Sequence, residues 1–195
     1  MKKPSDAQVD GKRRRLLTAA TTGMGLAGTA GMLVPFAGSM TPSARARAAG
    51  APVEVDISGI APGKQITVEW RGKPVWIIGR SEDSLAALDS LDRLLADPAS
   101  KAGQQPDYAR NPHRSIRRDV LVLVGICTHL GCSPKFRPEF ADAKEGAFLC
   151  ACHGSRFDLA GRVYRNVPAP TNLVVPPHRY LSENVLVIGE DGEAA

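Results

Sequence analysis

Aromatic side chains are scarce in this chain of 195 residues: five Phe, three Tyr and two Trp make up 5% of it. So thin a supply argues against a surface that binds single-stranded nucleic acid by stacking bases. Basic charge is missing where a phosphate-binding domain would need it. The formal charge is +5, yet residues 1–50 hold eight Lys and Arg against two Asp, and residues 51–195 hold seventeen against eighteen acidic residues. The excess belongs to the N-terminus and not to the folded part, which argues against a nucleic-acid partner. Charge of either sign is absent from Leu16 to Ala44. Cysteine is rare as well. There are four, and all lie in two short boxes, CTHLGC (127–132) and CACHGS (150–155), which also hold two of the four histidines.

The uncharged stretch exceeds the roughly 20 residues a helix needs to cross a bilayer, although Gly, Ala and Thr dilute it. Lys2, Lys3, Lys12, Arg13, Arg14 and Arg15 precede it and only Arg45 and Arg47 follow closely. The positive-inside rule then puts the N-terminus in the cytoplasm and the remainder on the outer face. RRRLL at 13–17 is similar to a twin-arginine export signal, and ARARA at 44–48 offers small-residue cleavage sites. A retained anchor is the preferred reading over a cleaved signal. The expected organisation is a basic N-terminus at 1–15, an anchor at 16–40, an Ala-rich hinge at 41–52 and one domain at 53–195.

Strand patterns dominate that domain. VEVDI (53–57) alternates; QITVEW (65–70) and VWIIGR (75–80) flank RGKP as a hairpin; VLVLVGI (120–126) reads as a buried strand. GAFLC, GRVYR, NLVVP and NVLVIG are expected to complete the sheet. One helix is expected over 84–98, with Leu85, Leu88, Leu91, Leu94 and Leu95 on one face and Ser81 at its start. KAGQQPDYARNPHR reads as loop. The two boxes fall at strand ends, where two loops can close on one object.

Cys-x-His and Cys-x-x-His present two thiols and two imidazoles at short spacing. Zinc accepts such a set; so does a Rieske-type [2Fe–2S] cluster, with thiolates on one iron and imidazoles on the other. Two cysteines are left over, and outside the cytoplasm spare thiols oxidise. Spacing alone leaves the partition open: Cys132 could be a ligand and Cys127 the spare. A pair of structural disulfides with incidental histidines is the bland alternative.

The two boxes, the basic start, the single anchor and the Ala-rich hinge together resemble the Rieske iron–sulfur subunits of ubiquinol–cytochrome c reductases, over nearly the whole chain. The resemblance implies a mainly β chain. It has an antiparallel β-sandwich with a small cluster-binding subdomain (about 126–170), preceded by one transmembrane helix. It implies one [2Fe–2S] cluster held by Cys127, His129, Cys150 and His153, with Ser155 hydrogen-bonding a cluster sulfur and a disulfide between Cys132 and Cys152. It also implies a proton-translocating complex, expected to be dimeric, in a bacterial inner membrane with the cluster on the periplasmic side. Its partners would be a b-type and a c-type cytochrome. Quinol would give an electron to the cluster and a proton to His153, and the electron would pass on to the c-type haem as the tethered domain swings. An arsenite-oxidase-type small subunit is the alternative, and a soluble dioxygenase ferredoxin is argued against by the anchor and the extra cysteines.

Two positions depart from the family pattern. VPAP at 167–170 resembles its Gly-Pro-Ala-Pro loop but has Val167 in place of the Gly. Phe157 stands where Tyr is frequent, which implies a low redox potential within the family. His113 and His178 match nothing and are expected to be exposed loop histidines.

Overall fold

The computed structural model describes residues 10–140 and 146–191, so the basic residues Lys2 and Lys3 and the last four positions lie outside it. The chain forms two units, 1–47 and 48–195.

The first unit is dominated by one helix, α1 (Gly11–Ser39). Asp10 caps it, accepting from the Lys12 backbone N–H at 2.9 Å. α1 therefore begins ahead of the uncharged stretch and takes in Lys12 to Arg15. None of its residues is buried, and it is long and apolar enough to cross a membrane. Three of its four threonines suit a lipid environment because their hydroxyls are satisfied within the helix. Thr18 donates to the Arg14 carbonyl, Thr21 to that of Leu17 and Thr29 to that of Gly25. A short helix, α2 (Ala44–Ala49), occupies part of the segment read as an irregular linker.

The second unit is built from three antiparallel three-stranded sheets. The first orders β1 (Val53–Asp56), β9 (Val185–Ile188) and β8 (His178–Ser182); the second orders β2 (Gln65–Trp70), β3 (Lys73–Gly79) and β4 (Val120–Val124). The β2–β3 hairpin turns at Arg71 and Gly72, both with positive φ (52° and 69°), as a tight two-residue turn requires. β3 and β4 explain the layering. Val75, Ile77, Val120 and Val122 face β1 and β9 and make the sandwich core with Val55, Leu186 and Ile188. Their alternate neighbours Trp76, Ile78, Leu121 and Leu123 face the other way, onto a second core with Leu85, Leu88, Phe148 and Phe157. A strand buried on both faces has no polar side, and this is why 120–124 is an unbroken apolar run.

The second core joins the sandwich to the third sheet, β5 (Lys135–Phe136), β6 (Phe148–Cys150) and β7 (Ser155–Phe157). Trp76 stacks on Phe148 with ring centroids 5.5 Å apart. The remaining cover is helix α3 (Glu82–Ser90), which starts in a reciprocal Ser81–Ser84 capping box.

Three expectations need correction. The helix expected over 84–98 ends at Ser90, with a 3-10 turn at Asp92–Leu94. Leu95 is extended and packs with Leu91 and Tyr164 in a separate cluster, so tertiary contact rather than helical periodicity places it. GRVYR and NLVVP are not strands. Val163 and Tyr164 make only isolated bridges, and 172–175 pairs through single bonds such as Val124 N–H to the Val174 carbonyl. Pro168, Pro170, Pro176 and Pro177 lack the N–H a ladder needs. Finally, His178 is not an exposed loop residue. It begins β8, is 1% exposed, and stands edge-on to Tyr108 at 5.6 Å. His113 is half-buried.

Candidate functional site

β4 runs through Gly125 into the first box. Gly125 lies so close to the Trp76 indole that a Cβ would overlap it, so the strand can leave the core at this point only with a glycine. The loop closes on itself: Cys127 N–H donates to the Cys132 carbonyl at 2.7 Å, and Gly131 N–H, at a φ of +85°, donates back to the Cys127 carbonyl at 3.1 Å. Cys127 is buried at its base, His129 is half-buried and Leu130 is exposed at the tip.

The second box is the β6–β7 hairpin. Cys150 pairs with Ser155 across the ladder, and Gly154 N–H (φ +78°) donates to the Cys150 carbonyl at 2.9 Å. Cys150 is buried and His153 exposed. The two loops meet. Cys132 and Cys152 form a disulfide with Cα atoms 6.8 Å apart, and their sulfurs and that of Cys150 lie within 4.8 Å of one another. Cys127 and Cys150 are left as free, buried thiols. The His129 and His153 rings stand perpendicular, 4.8 Å between centroids.

A third loop, 166–172, leans on both boxes. Thr128 Oγ1 donates to the Thr171 carbonyl at 2.7 Å, and Ala169 N–H donates to Ser155 Oγ at 3.0 Å. Val167 does not leave this loop without a left-handed residue, because Asn166 beside it takes a φ of 57°. Asn is among the few side chains that adopt this conformation readily. Ser155 itself is fully buried and reaches the Cys127 sulfur. Burial pushes the Cys127 thiol up; the His129 backbone N–H and the Ser155 hydroxyl pull it down, while neighbouring Cys150 adds to the upward push.

The two loops thus leave two buried free thiols and a pair of adjoining imidazoles, the other two sulfurs being removed by the disulfide. That chemistry fits a [2Fe–2S] centre with mixed ligation. Phe157 is fully buried in the second core.

Sequence reasoning missed what supports the loops from below. Arg162 is 1% exposed and donates from Nε to Asp158 at 2.7 Å and from Nη2 to the Leu88 carbonyl at 2.8 Å. Arg114, fully buried, donates to the carbonyls of Ala160 (3.1 Å) and Leu173 (2.7 Å) and to Gln105 Oε1 (3.0 Å). Burial lowers its pKa to about 10, against the pull of Asp158. Cations in a core follow no hydrophobic period, so pattern reading has nothing to detect. The i,i+4 spacing of Asp158 and Arg162 was the one available signal, and it is weak. Thr128 could have been found, since it lies inside the first box.

Residues 109–177 match the Rieske [2Fe-2S] domain, and residues 4–43 match the Ubiquitinol-cytochrome C reductase Fe-S subunit TAT signal. The ubiquinol-cytochrome c reductase iron-sulfur subunit of Allochromatium vinosum is 58% identical over 98% of this chain and 96% of its own length. That of Bradyrhizobium diazoefficiens is 42% identical over 91% of this chain and 94% of its own. Among solved structures, a chain of a hyperthermophilic respiratory Complex III is 30% identical, with a TM-score of 0.47, covering 87% of this chain and 98% of that one.

Proposed function

The chain belongs to the family of ubiquinol–cytochrome c reductase iron–sulfur subunits, and from that premise we propose that Cys127 and Cys150 hold one iron of its [2Fe–2S] cluster and His129 and His153 the other. The protein is the electron-transfer subunit of a membrane quinol–cytochrome c oxidoreductase, and its proposed partners are a b-type and a c-type cytochrome. The relationship does not favour an arsenite-oxidase-type subunit, and the mixed ligation is assigned to iron rather than zinc.

When bound, a cluster of this ligation supplies reversible one-electron chemistry at a potential above that of all-cysteine ferredoxins. Each thiol must lose its proton to serve as a ligand, and the Ser155 hydroxyl and the His129 N–H lower the cost of doing so at Cys127. Ala169 N–H donates to Ser155 Oγ, which leaves the serine proton free to be donated to a sulfur. His153 is the proposed quinol contact and proton acceptor, through the ring nitrogen that does not hold iron. The observation that carries this reading is the gradient of burial across the four proposed ligands: Cys127 and Cys150 are buried, 3% and 2% exposed, His129 is half-buried, and His153 is open to solvent. A buried imidazole could not meet a substrate.

The domain's place on the periplasmic side, with α1 as its single span, is supported by the basic residues ahead of the uncharged stretch 16–44 and by the disulfide, which persists in an oxidising compartment. The resemblance to a twin-arginine signal at 13–17 fits export of a domain already folded around its cofactor. A dimeric complex and a tether at 41–52 that lets the domain travel between quinol and haem belong to the same proposal.

The test is a set of single alanine variants of the four ligands. Each is expected to abolish the cluster's paramagnetic resonance signal and quinol oxidation together. An intact cluster in His129→Ala or Cys150→Ala would overturn the assignment. A quieter variant, His153→Cys, is expected to keep iron while losing proton-coupled quinol oxidation.

A further inference from the structure

Three arginines, Arg80, Arg114 and Arg162, lie in the interior of the second unit, and Asp158 is the one carboxylate buried with them among the described residues. All four meet at the turn 158–162, which continues β7 beyond Ser155 and Phe157. Arg162 is paired: its Nε donates to Asp158 at 2.7 Å and its Nη1 to Asp92 at 2.8 Å. The other two arginines are held differently. Arg114 Nη1 donates to the carbonyls of Ala160 and Gly161 at 3.1 and 3.3 Å, and its Nη2 to the Leu173 carbonyl at 2.7 Å and to Gln105 Oε1 at 3.0 Å. Arg80 donates to the carbonyls of Arg118 and His113, each at 2.8 Å, to that of Leu159 at 3.4 Å and to Ser115 Oγ at 2.6 Å. Every one of these acceptors is neutral. Neither arginine makes an ion pair among the described residues, and Arg114 Nε has no hydrogen-bond partner among them.

A cation buried against neutral acceptors is costly, and apolar residues of similar volume often stabilise a core as well or better. Burial lowers the pKa of Arg80 and of Arg114 to about 10, against the pull of Asp158, so both keep their charge at neutral pH. Their place in the fold gives that charge a use. Leu159, Ala160 and Leu173, whose carbonyls hold them, pack in the same core as Cys127 and Cys150. A charge in a dry interior acts over a longer range than one in solvent, where water and salt screen it. With thiolates on one iron and neutral imidazoles on the other, an oxidised cluster has no net charge, and the electron that quinol supplies leaves it negative. We infer that the buried arginines Arg80 and Arg114 raise the midpoint potential by stabilising the reduced cluster through their charge, an inference that rests on the ligand assignment proposed above. They act at a distance, touching neither substrate nor ligand. Asp158 opposes them, and they in turn offset the donor that Phe157 does not supply.

The experiment uses the full chain, purified in detergent with its cluster loaded. It reads the midpoint by voltammetry at low and high salt, with the resonance spectrum and melting temperature of each variant. Gln105→Glu sets a carboxylate against Arg114 with little change of shape. It is expected to lower the reduction equilibrium constant at least threefold, about 28 mV for one electron. Arg80→Gln removes one of the charges and is expected to lower it likewise. Asp158→Asn removes the opposing charge and is expected to raise it by at least the same factor. All three variants lose hydrogen bonds and should melt below the parent, so a merely loosened core would move their potentials in one direction. Gln105→Met supplies a neutral reference should Asp158→Asn fail to fold: it loses the same amide bonds as Gln105→Glu without adding charge, and is expected to stay near the parent. Opposite signs that persist at high salt support the inference. With the spectrum intact, an unchanged midpoint in Gln105→Glu, equal shifts in Gln105→Glu and Gln105→Met, or a common direction for Gln105→Glu and Asp158→Asn would each overturn it. A parent that lacks the cluster's resonance signal would overturn the ligand assignment, and this inference with it.

Discussion

Cys150 and Ser155 face each other across the last rung of the β6–β7 ladder, so the strand pairing that forms the hairpin also brings a hydroxyl beside the sulfur site. Ser155 is fully buried, accepts the Ala169 N–H at 3.0 Å and reaches the Cys127 sulfur. One side chain thus connects the second box, the first box and the third loop.

Ser155→Ala removes the donor to sulfur and leaves the Ala169 N–H unpaired. A donor to the sulfurs stabilises the reduced cluster more than the oxidised one, because reduction adds negative charge. A difference of about 1 kcal/mol between the two states is reasonable for one charge-linked hydrogen bond, which corresponds to a midpoint lower by about 40 mV for one electron. Voltammetry checks the potential, and thermal melting should show a loss of about 1–2 kcal/mol for the orphaned amide. An unchanged potential with lowered stability would leave Ser155 as a structural link only.

The disulfide joins loops whose cysteines are 20 apart in sequence. Cross-linking a loop of this length contributes roughly 3 kcal/mol in the chain-entropy account, which is model-dependent. C132S/C152S is expected to bind iron after synthesis and then lose its visible absorption at a lower temperature than the parent. Equal retention on heating would mean that Thr128–Thr171 and Ser155–Ala169 hold the loops by themselves.

His178 ties stability to pH. Burial lowers its pKa from the ordinary 6.5, against the Pro176 carbonyl that raises it. A lowered folded pKa means that the unfolded chain takes a proton first as pH falls. The stabilisation is therefore complete above about pH 6.5 and is lost as pH drops below that value toward the folded pKa. His113 is lowered for the same first cause, burial, and adds in the same direction. Melting of the parent at pH 7 and pH 5 should show a loss that His178→Gln reduces. An identical pH slope in the variant would place the acid sensitivity elsewhere.

The legible parts of this protein were those whose chemistry is local in sequence. Cys127-x-His129 and Cys150-x-x-His153 put two donors on each loop, so spacing alone nominated a metal site. Spacing could not decide which sulfurs were spare; family resemblance supplied Cys132–Cys152. The unbroken run at 120–124 disclosed a strand buried on both faces. What stayed hidden depends on contacts made far along the chain. Leu95 leaves the helical pattern for Tyr164, His178 is buried under Tyr108, and Arg114 is held by carbonyls more than forty residues away.

Phe157 offers the sharpest test of how this chain sets its potential. It lies two residues beyond Ser155 on β7, and side chains two apart on a strand share a face. Its ring is fully buried in the core that also contains Cys127 and Cys150. Where the family often has a tyrosine hydroxyl, this chain has only a ring edge, so one possible donor to the cluster is missing. Phe157→Tyr is expected to raise the midpoint by about 40 mV, from a differential hydrogen bond of about 1 kcal/mol. Stability gives an independent control. A hydroxyl that finds the sulfur is satisfied and costs little, whereas one buried without a partner costs about 1–3 kcal/mol. A raised potential with an unchanged melting temperature supports the missing-donor account. An unchanged or lowered potential together with a lower melting temperature would show that Phe157 serves only to pack the core.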